Sequence, residues 1–205
     1  MSIEAEKERI IEFAMEKFLS TGVSKVTVDD LATELRMSKK TLYKYFPSKE
    51  DLIRSIMRLN MKWIEKNADE IFSSDKPVEQ KLAAFFMLVG RVMSRVSKQF
   101  QGELKTFSPS LWQEIETFRR EKIFGRLKKL FAQAKQEGLF REDLSVDFFY
   151  LVFSTVVDGM MNPQVIAHQS FSMDEAFRGL YKLMMVGAVQ PEARDKFQFM
   201  DNVFS

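Results

Sequence analysis

Residues 22–52 read GVSKVTVDDLATELRMSKKTLYKYFPSKEDL. A hydroxyl residue stands ahead of each of three apolar-patterned runs: Thr27, with Asp30 three residues on, then Ser38, then Ser48 with Asp51. Such a side chain accepts a hydrogen bond from one of the free backbone N–H groups at a helix start. The first run gathers Val28, Leu31, Ala32 and Leu35 on one face, and the second gathers Leu42 and Phe46 before Phe46-Pro47 breaks it. Two short helices joined by the tight turn at 35–38 have the dimensions of a helix-turn-helix.

Outward from this stretch, residues 4–20 predict a preceding helix, with Ile10, Ile11, Ala14 and Phe18 as its stripe and Gly22 just past its end. Beyond Ser48 a long helix is expected to about Phe72, carrying Leu52, Ile56, Leu59, Trp63 and Ile71 on an apolar stripe. Further helices are expected over 78–98, 100–106, 109–136, 146–161 and 173–189, with Asn162-Pro163 as one break and Ser172 with Glu175 as a capping box. Eight glycines and five prolines leave little punctuation, and three- and four-residue spacing dominates. The expected fold is all-α: an N-terminal three-helix unit over 1–50, joined by a long helix to a larger helical domain over 51–205.

Composition narrows the function classes. A cysteine-free chain has no disulfides or thiolate chemistry, and with a charged N-terminus it is expected to be cytosolic. The longest uncharged apolar-rich run, 148–157, falls short of the ~18 residues of a membrane span, so no membrane partner is expected. Net charge is only +2, but Arg36, Lys39, Lys40, Lys44 and Lys49 follow one another with no carboxylate between them. At about 100° per residue, burying Leu42 and Phe46 turns Lys40, Thr41 and Lys44 outward, with Tyr43 and Tyr45 on opposite flanks. Lysines can donate to guanine edges or phosphate, Thr41 can touch a base edge, and tyrosine hydroxyls suit phosphate oxygens. Free N–H groups around Val28 and Lys39 offer phosphate contacts without any side chain.

The same residues resemble the DNA-binding domain of the tetracycline-repressor (TetR-like) family of bacterial transcription regulators. Gly22, Thr27, Leu31-Ala32, Leu35, Met37-Ser38, Thr41-Leu42-Tyr43, Tyr45-Phe46 and Lys49 fall at the family spacing. The resemblance implies that Lys39, Lys40, Thr41 and Lys44 lie toward bases, while Thr27, Tyr43, Tyr45 and Lys49 grip phosphate. It also implies a ligand-responsive regulator, by default a repressor, with an effector domain and two C-terminal helices at a dimer interface.

A single short recognition helix binds DNA weakly, so a homodimer on a palindromic operator is expected. The 146–161 helix is apolar all round and must be buried on both sides. Phe149, Phe153, Val156 and Met160, with Phe177, Leu180, Tyr181 and Met184 of the last helix, are the expected dimer residues. Abundant Phe and Met between 78 and 136 suit a lipophilic effector. Phe86, Trp112, Phe118 and Phe153 are candidate pocket residues. Asp158 stands alone in an apolar helix and needs a partner, either a cation or cap across the subunits or an effector's polar group.

Enzymatic readings find little. The lone histidine, His168, has no Cys or His cluster around it for zinc, and no glycine-rich phosphate loop occurs, so neither metal nor cofactor is expected. The competing class is a helical small-molecule or lipid carrier, or a hydrolase using His168. A carrier has no need of the lysine cluster.

Overall fold

The structure, a computed structural model, describes residues 3–162, 165 and 168–197. The break expected at Asn162-Pro163 lies partly outside them. Described residues form α1 (Ile3–Thr21), α2 (Val28–Glu34), α3 (Lys39–Tyr45), α4 (Lys49–Ser73), α5 (Val78–Arg95), α6 (Lys98–Phe107) and α7 (Pro109–Phe118). A π-helical turn (Arg119–Phe124) runs into α8 (Gly125–Gln136), followed by α9 (Val146–Met160), α10 (Met173–Ala188) and a closing 3-10 stretch (Pro191–Phe197). One antiparallel bridge, Phe140 with Val189, ties the start of the segment after α8 to the end of α10.

The expected caps form. Thr27 and Asp30 close a reciprocal capping box on α2, Ser38 caps α3, Ser48 caps α4, and Ser172 with Glu175 forms a second capping box on α10. Gly22 takes φ +102°, the left-handed residue expected after α1. Two expectations are revised. The single helix over 109–136 is interrupted by the π turn, and on α4 Leu59 and Trp63 face outward while Ile53, Met57 and Met61 join the buried stripe.

Two apolar cores result. The N-terminal one packs Ile10, Ala14 and Phe18 of α1 against Leu31, Leu42, Phe46, Ile53 and Ile56. Phe100 and Leu104 of α6 and Leu111 and Trp112 of α7 complete it, so its packing runs well past residue 50. The larger core is a cluster of aromatic rings from α5, α8, α9 and α10, with Phe86 and Tyr181 centroids 4.7 Å apart and Phe131 and Phe149 at the same separation. Edge-on and tilted ring pairs of this kind each add about 0.5–1.5 kcal/mol beyond area burial.

Candidate functional site

The turn between α2 and α3 is built without glycine. Arg36 takes φ 55°, its N–H donates to the Thr33 carbonyl at 3.0 Å, and the Met37 N–H donates to the Ala32 carbonyl at 2.9 Å. Leu42 is 1% exposed and anchors α3, which leaves Lys40, Thr41 and Lys44 on the open side. The N-cap fixes the entry to that face: the Thr41 N–H donates to Ser38 Oγ at 3.0 Å, and the two hydroxyls share a 2.7 Å hydrogen bond.

The flanking groups are less alike than their sequence suggests. Lys39 Nζ lies 2.7 Å from Asp29 Oδ2 across the turn, and that hydrogen bond raises the lysine pKa. Thr27 Oγ1 is held 2.5 Å from Asp30 Oδ2, inside the capping box, and Val28 is buried at the start of α2. Tyr43 is exposed, whereas Tyr45 is half-buried against the N-terminal core. Lys49 does not stand out with Lys40 and Lys44. Its ammonium sits 5.8 Å from the Phe18 ring centroid and 5.9 Å from that of Phe107, and burial lowers its pKa against the opposing pull of Glu103.

Behind this unit is an apolar cavity of about 130 Å³. Its walls come from α4 (Met57, Met61, Ile64), α5 (Phe85, Val89, Met93), α6 (Phe100, Leu104), α7 (Trp112, Phe118) and α9 (Phe153, Val157). Of the expected pocket residues, Trp112, Phe118 and Phe153 meet here. Phe86 does not line it, being packed among Phe85, Phe153, Phe177 and Tyr181. Asp158 is outside the wall and accepts a hydrogen bond from Arg119 Nη2 at 2.7 Å, a cation of its own chain.

Among the described residues the polar side chains on the wall are few: Asn60, Gln101 and Arg119. Gln101 is 2% exposed, and among the described residues its Oε1 has no hydrogen-bond partner. An unpaired buried amide oxygen costs about 1–3 kcal/mol. The only sequence signal for it is a glutamine on the same α6 face as Leu104, and nothing local indicates which cavity that face meets.

The cavity and the helix-turn-helix share α6. While Phe100, Gln101 and Leu104 face the cavity, the Ser97 N–H at its start donates to the Leu19 carbonyl of α1 at 3.0 Å. Glu103 accepts from the Ser24 N–H at 2.7 Å and from the Ser24 hydroxyl. Burial pushes the Glu103 carboxyl up, but hydrogen bonds from Ser24, Gln99 and the Val23 N–H outweigh it and hold the pKa at about 2. Gly22 faces α6 at close quarters, and a Cβ there would come 2.8 Å from Glu103 Oε2 and 2.9 Å from Gln99 Cγ. On α7, Glu114 accepts from Arg54 Nη1 at 3.1 Å and Arg58 Nε at 2.8 Å, fastening it to α4.

The expected dimer residues mostly face inward. Phe149, Phe153, Phe177, Leu180, Tyr181 and Met184 are buried within their own chain, Met160 is half-buried, and only Val156 is exposed. Helical angle explains the correction. Bulky aromatics at 149 and 153 fill the chain's own core, which rotates Phe148 and Leu151 of α9 to the outside at 63% and 58% exposure. Leu183 and Val186 of α10 are likewise outside, at 78% and 69%.

A capped, cationic α3 on a buried three-helix frame, backed by a helical domain, is a helix-turn-helix DNA-binding architecture. Residues 10–56 match the family model for bacterial regulatory proteins of the tetR family. That segment is accordingly a TetR-type helix-turn-helix DNA-binding domain. The chain is 26% identical over 152 residues to the HTH-type transcriptional repressor KstR2 of Mycolicibacterium smegmatis, covering 70% of this chain and 72% of the relative. A putative transcriptional regulator from Saccharomonospora viridis, solved in complex with choline, superposes with a TM-score of 0.72 at 20% identity, over 91% of this chain and 99% of that one. The regulator FadR from Bacillus subtilis, solved with stearoyl-CoA, gives a TM-score of 0.62 at 20% identity, over 88% and 98%. These relatives are named as regulators rather than enzymes. No helix among the described residues is long and apolar enough to cross a membrane.

Proposed function

We propose that this chain is a homodimeric repressor that holds a palindromic operator through α3 and releases it when a small lipophilic molecule enters the apolar cavity. The observation that carries the reading is the double duty of α6: one face lines the cavity and the other holds Ser24 and Leu19 of the DNA-binding unit. A ligand that fits the cavity better in one arrangement of α6 than another shifts the population between two spacings of the DNA-binding units. Repression is supported by the similarity to the repressor KstR2, and a small-molecule effector by structural neighbours solved with choline and stearoyl-CoA.

In this reading Lys40, Thr41 and Lys44 face bases. Lys39, Thr27 and the N–H groups at Val28 orient the frame, and Tyr43 and Tyr45 flank it toward phosphate. The dimer forms on the side of α9 and α10 that carries the exposed Phe148, Leu151, Val156, Leu183 and Val186, large apolar side chains whose exposure together suits an interface.

Selection from a random duplex pool with the full chain tests the proposal. The expected product is an inverted repeat whose half-site centres lie about 34–36 Å or a multiple apart. A chain that binds lipophiles yet enriches no DNA sequence is instead a carrier, and the proposal fails.

A further inference from the structure

We propose that the cavity selects a neutral lipophile bearing a hydroxyl group, with that hydroxyl seated on Gln101; this rests on the cavity's being the effector site. Gln101 Nε2 has only a long contact to Met161 Sδ, at 3.9 Å, and Oε1 has no partner among the described residues. Turning the amide over exchanges the two atoms and still leaves one of them unpaired. A hydroxyl suits both orientations, because it donates to the oxygen or accepts from the nitrogen. An ether can do only the second, and an alkane neither.

Charge excludes the ionic alternatives. Among the described residues Arg119 is the one charged residue on the wall, and its guanidinium is already paired with Asp158 at 2.7 Å. A carboxylate ligand would have to compete with Asp158, while among the described residues no acidic side chain on the wall waits for an ammonium. The Arg119 Nε–H itself is buried without an acceptor among the described residues, so the wall there accommodates a second, neutral oxygen. The π turn sets Arg119, Ile123 and Phe124 along this wall, and such turns recur at functional sites.

The test uses the full chain with Trp63→Phe, which leaves Trp112 on the cavity wall as the only indole. Its fluorescence is followed during titration with 1-decanol, decyl methyl ether, decane, decanoate and decylamine at neutral pH. Decanol is expected to bind about tenfold more tightly than the methyl ether, and more tightly than either ion. Gln101→Leu should erase the alcohol's advantage over the ether, with the alcohol losing more affinity than the ether does. It should also leave the melting temperature at or above that of the parent, since an unpaired buried amide is removed. Tighter binding of decanoate, or an alcohol preference that survives Gln101→Leu, overturns the assignment; so does a fall in melting temperature, which would show the amide to be held internally. If alcohol and ether bind equally and both release DNA in an anisotropy assay, the hydroxyl assignment fails and the effector site stands. If no probe binds, both fail.

Discussion

The lysines of α3 and its flank are chemically alike, and their surroundings separate them. Lys40 and Lys44 stand clear on the open side of the helix, Lys39 is engaged by Asp29, and Lys49 is drawn between two aromatic rings. Lys40→Ala or Lys44→Ala is expected to weaken operator binding and, where the lysine reads a base, to relax preference at one position by about 1–3 kcal/mol. Binding to a panel of single-base operator variants checks this, and a uniform loss over the panel would mark a phosphate contact. Lys49→Ala is expected to leave the salt dependence of binding unchanged, because its ammonium is not presented with the others. A drop of about one in the slope of log K against log salt would return it to the phosphate set. The division of α3 into a buried and an exposed side was legible from Leu42 and Phe46 alone. The separate fate of Lys49 was not, since Phe107 reaches it from a distant helix whose docking no local pattern encodes.

At the scale of elements, helix starts were legible because caps are local: Thr27, Ser38, Ser48 and Ser172 each bond within three residues. The pairing of α6 with the DNA-binding unit was not, because Glu103 and Ser24 stand 79 residues apart and only tertiary packing brings them together. That contact gives a pH signature. The Glu103 pKa is depressed in the folded chain to about 2, below the ordinary 4.5, so its contribution is fully present above the ordinary value and is lost as pH falls from there toward 2. Glu103→Gln should therefore lower the melting temperature near pH 7, with the gap to the parent closing as pH drops below about 4.5. A gap that stays constant with pH would mean that shape rather than charge holds α6 in place. Gly22→Ala strikes the same joint from the other side. A positive φ disfavours any side chain, and the added Cβ meets Glu103 and Gln99 below 3.0 Å. The expected cost is more than about 1 kcal/mol in denaturant unfolding.

For the whole molecule, the last pair of helices carries apolar side chains on both a buried and an exposed face, but the sequence led wrongly to which residues lie on which side. A helix that is apolar all round has no polar stripe to set its rotation. Only the packed rings of Phe131, Phe149 and Phe153 do that, and they belong to the tertiary structure. The two faces make opposite predictions. Phe153 is 2% exposed at the centre of the aromatic cluster, so Phe153→Asp buries an unpaired charge and should unfold the chain, with loss of helical circular dichroism. Leu183 is 78% exposed, so Leu183→Asp disturbs nothing within the chain but, in the proposed dimer, places like charges opposite one another across its two-fold axis. Sedimentation should then find a folded monomer with undiminished helicity, and operator affinity should fall steeply because two linked half-sites become one. A dimer that survives Leu183→Asp would move the interface off the α9 and α10 face, and with it the spacing that any ligand in the cavity could alter.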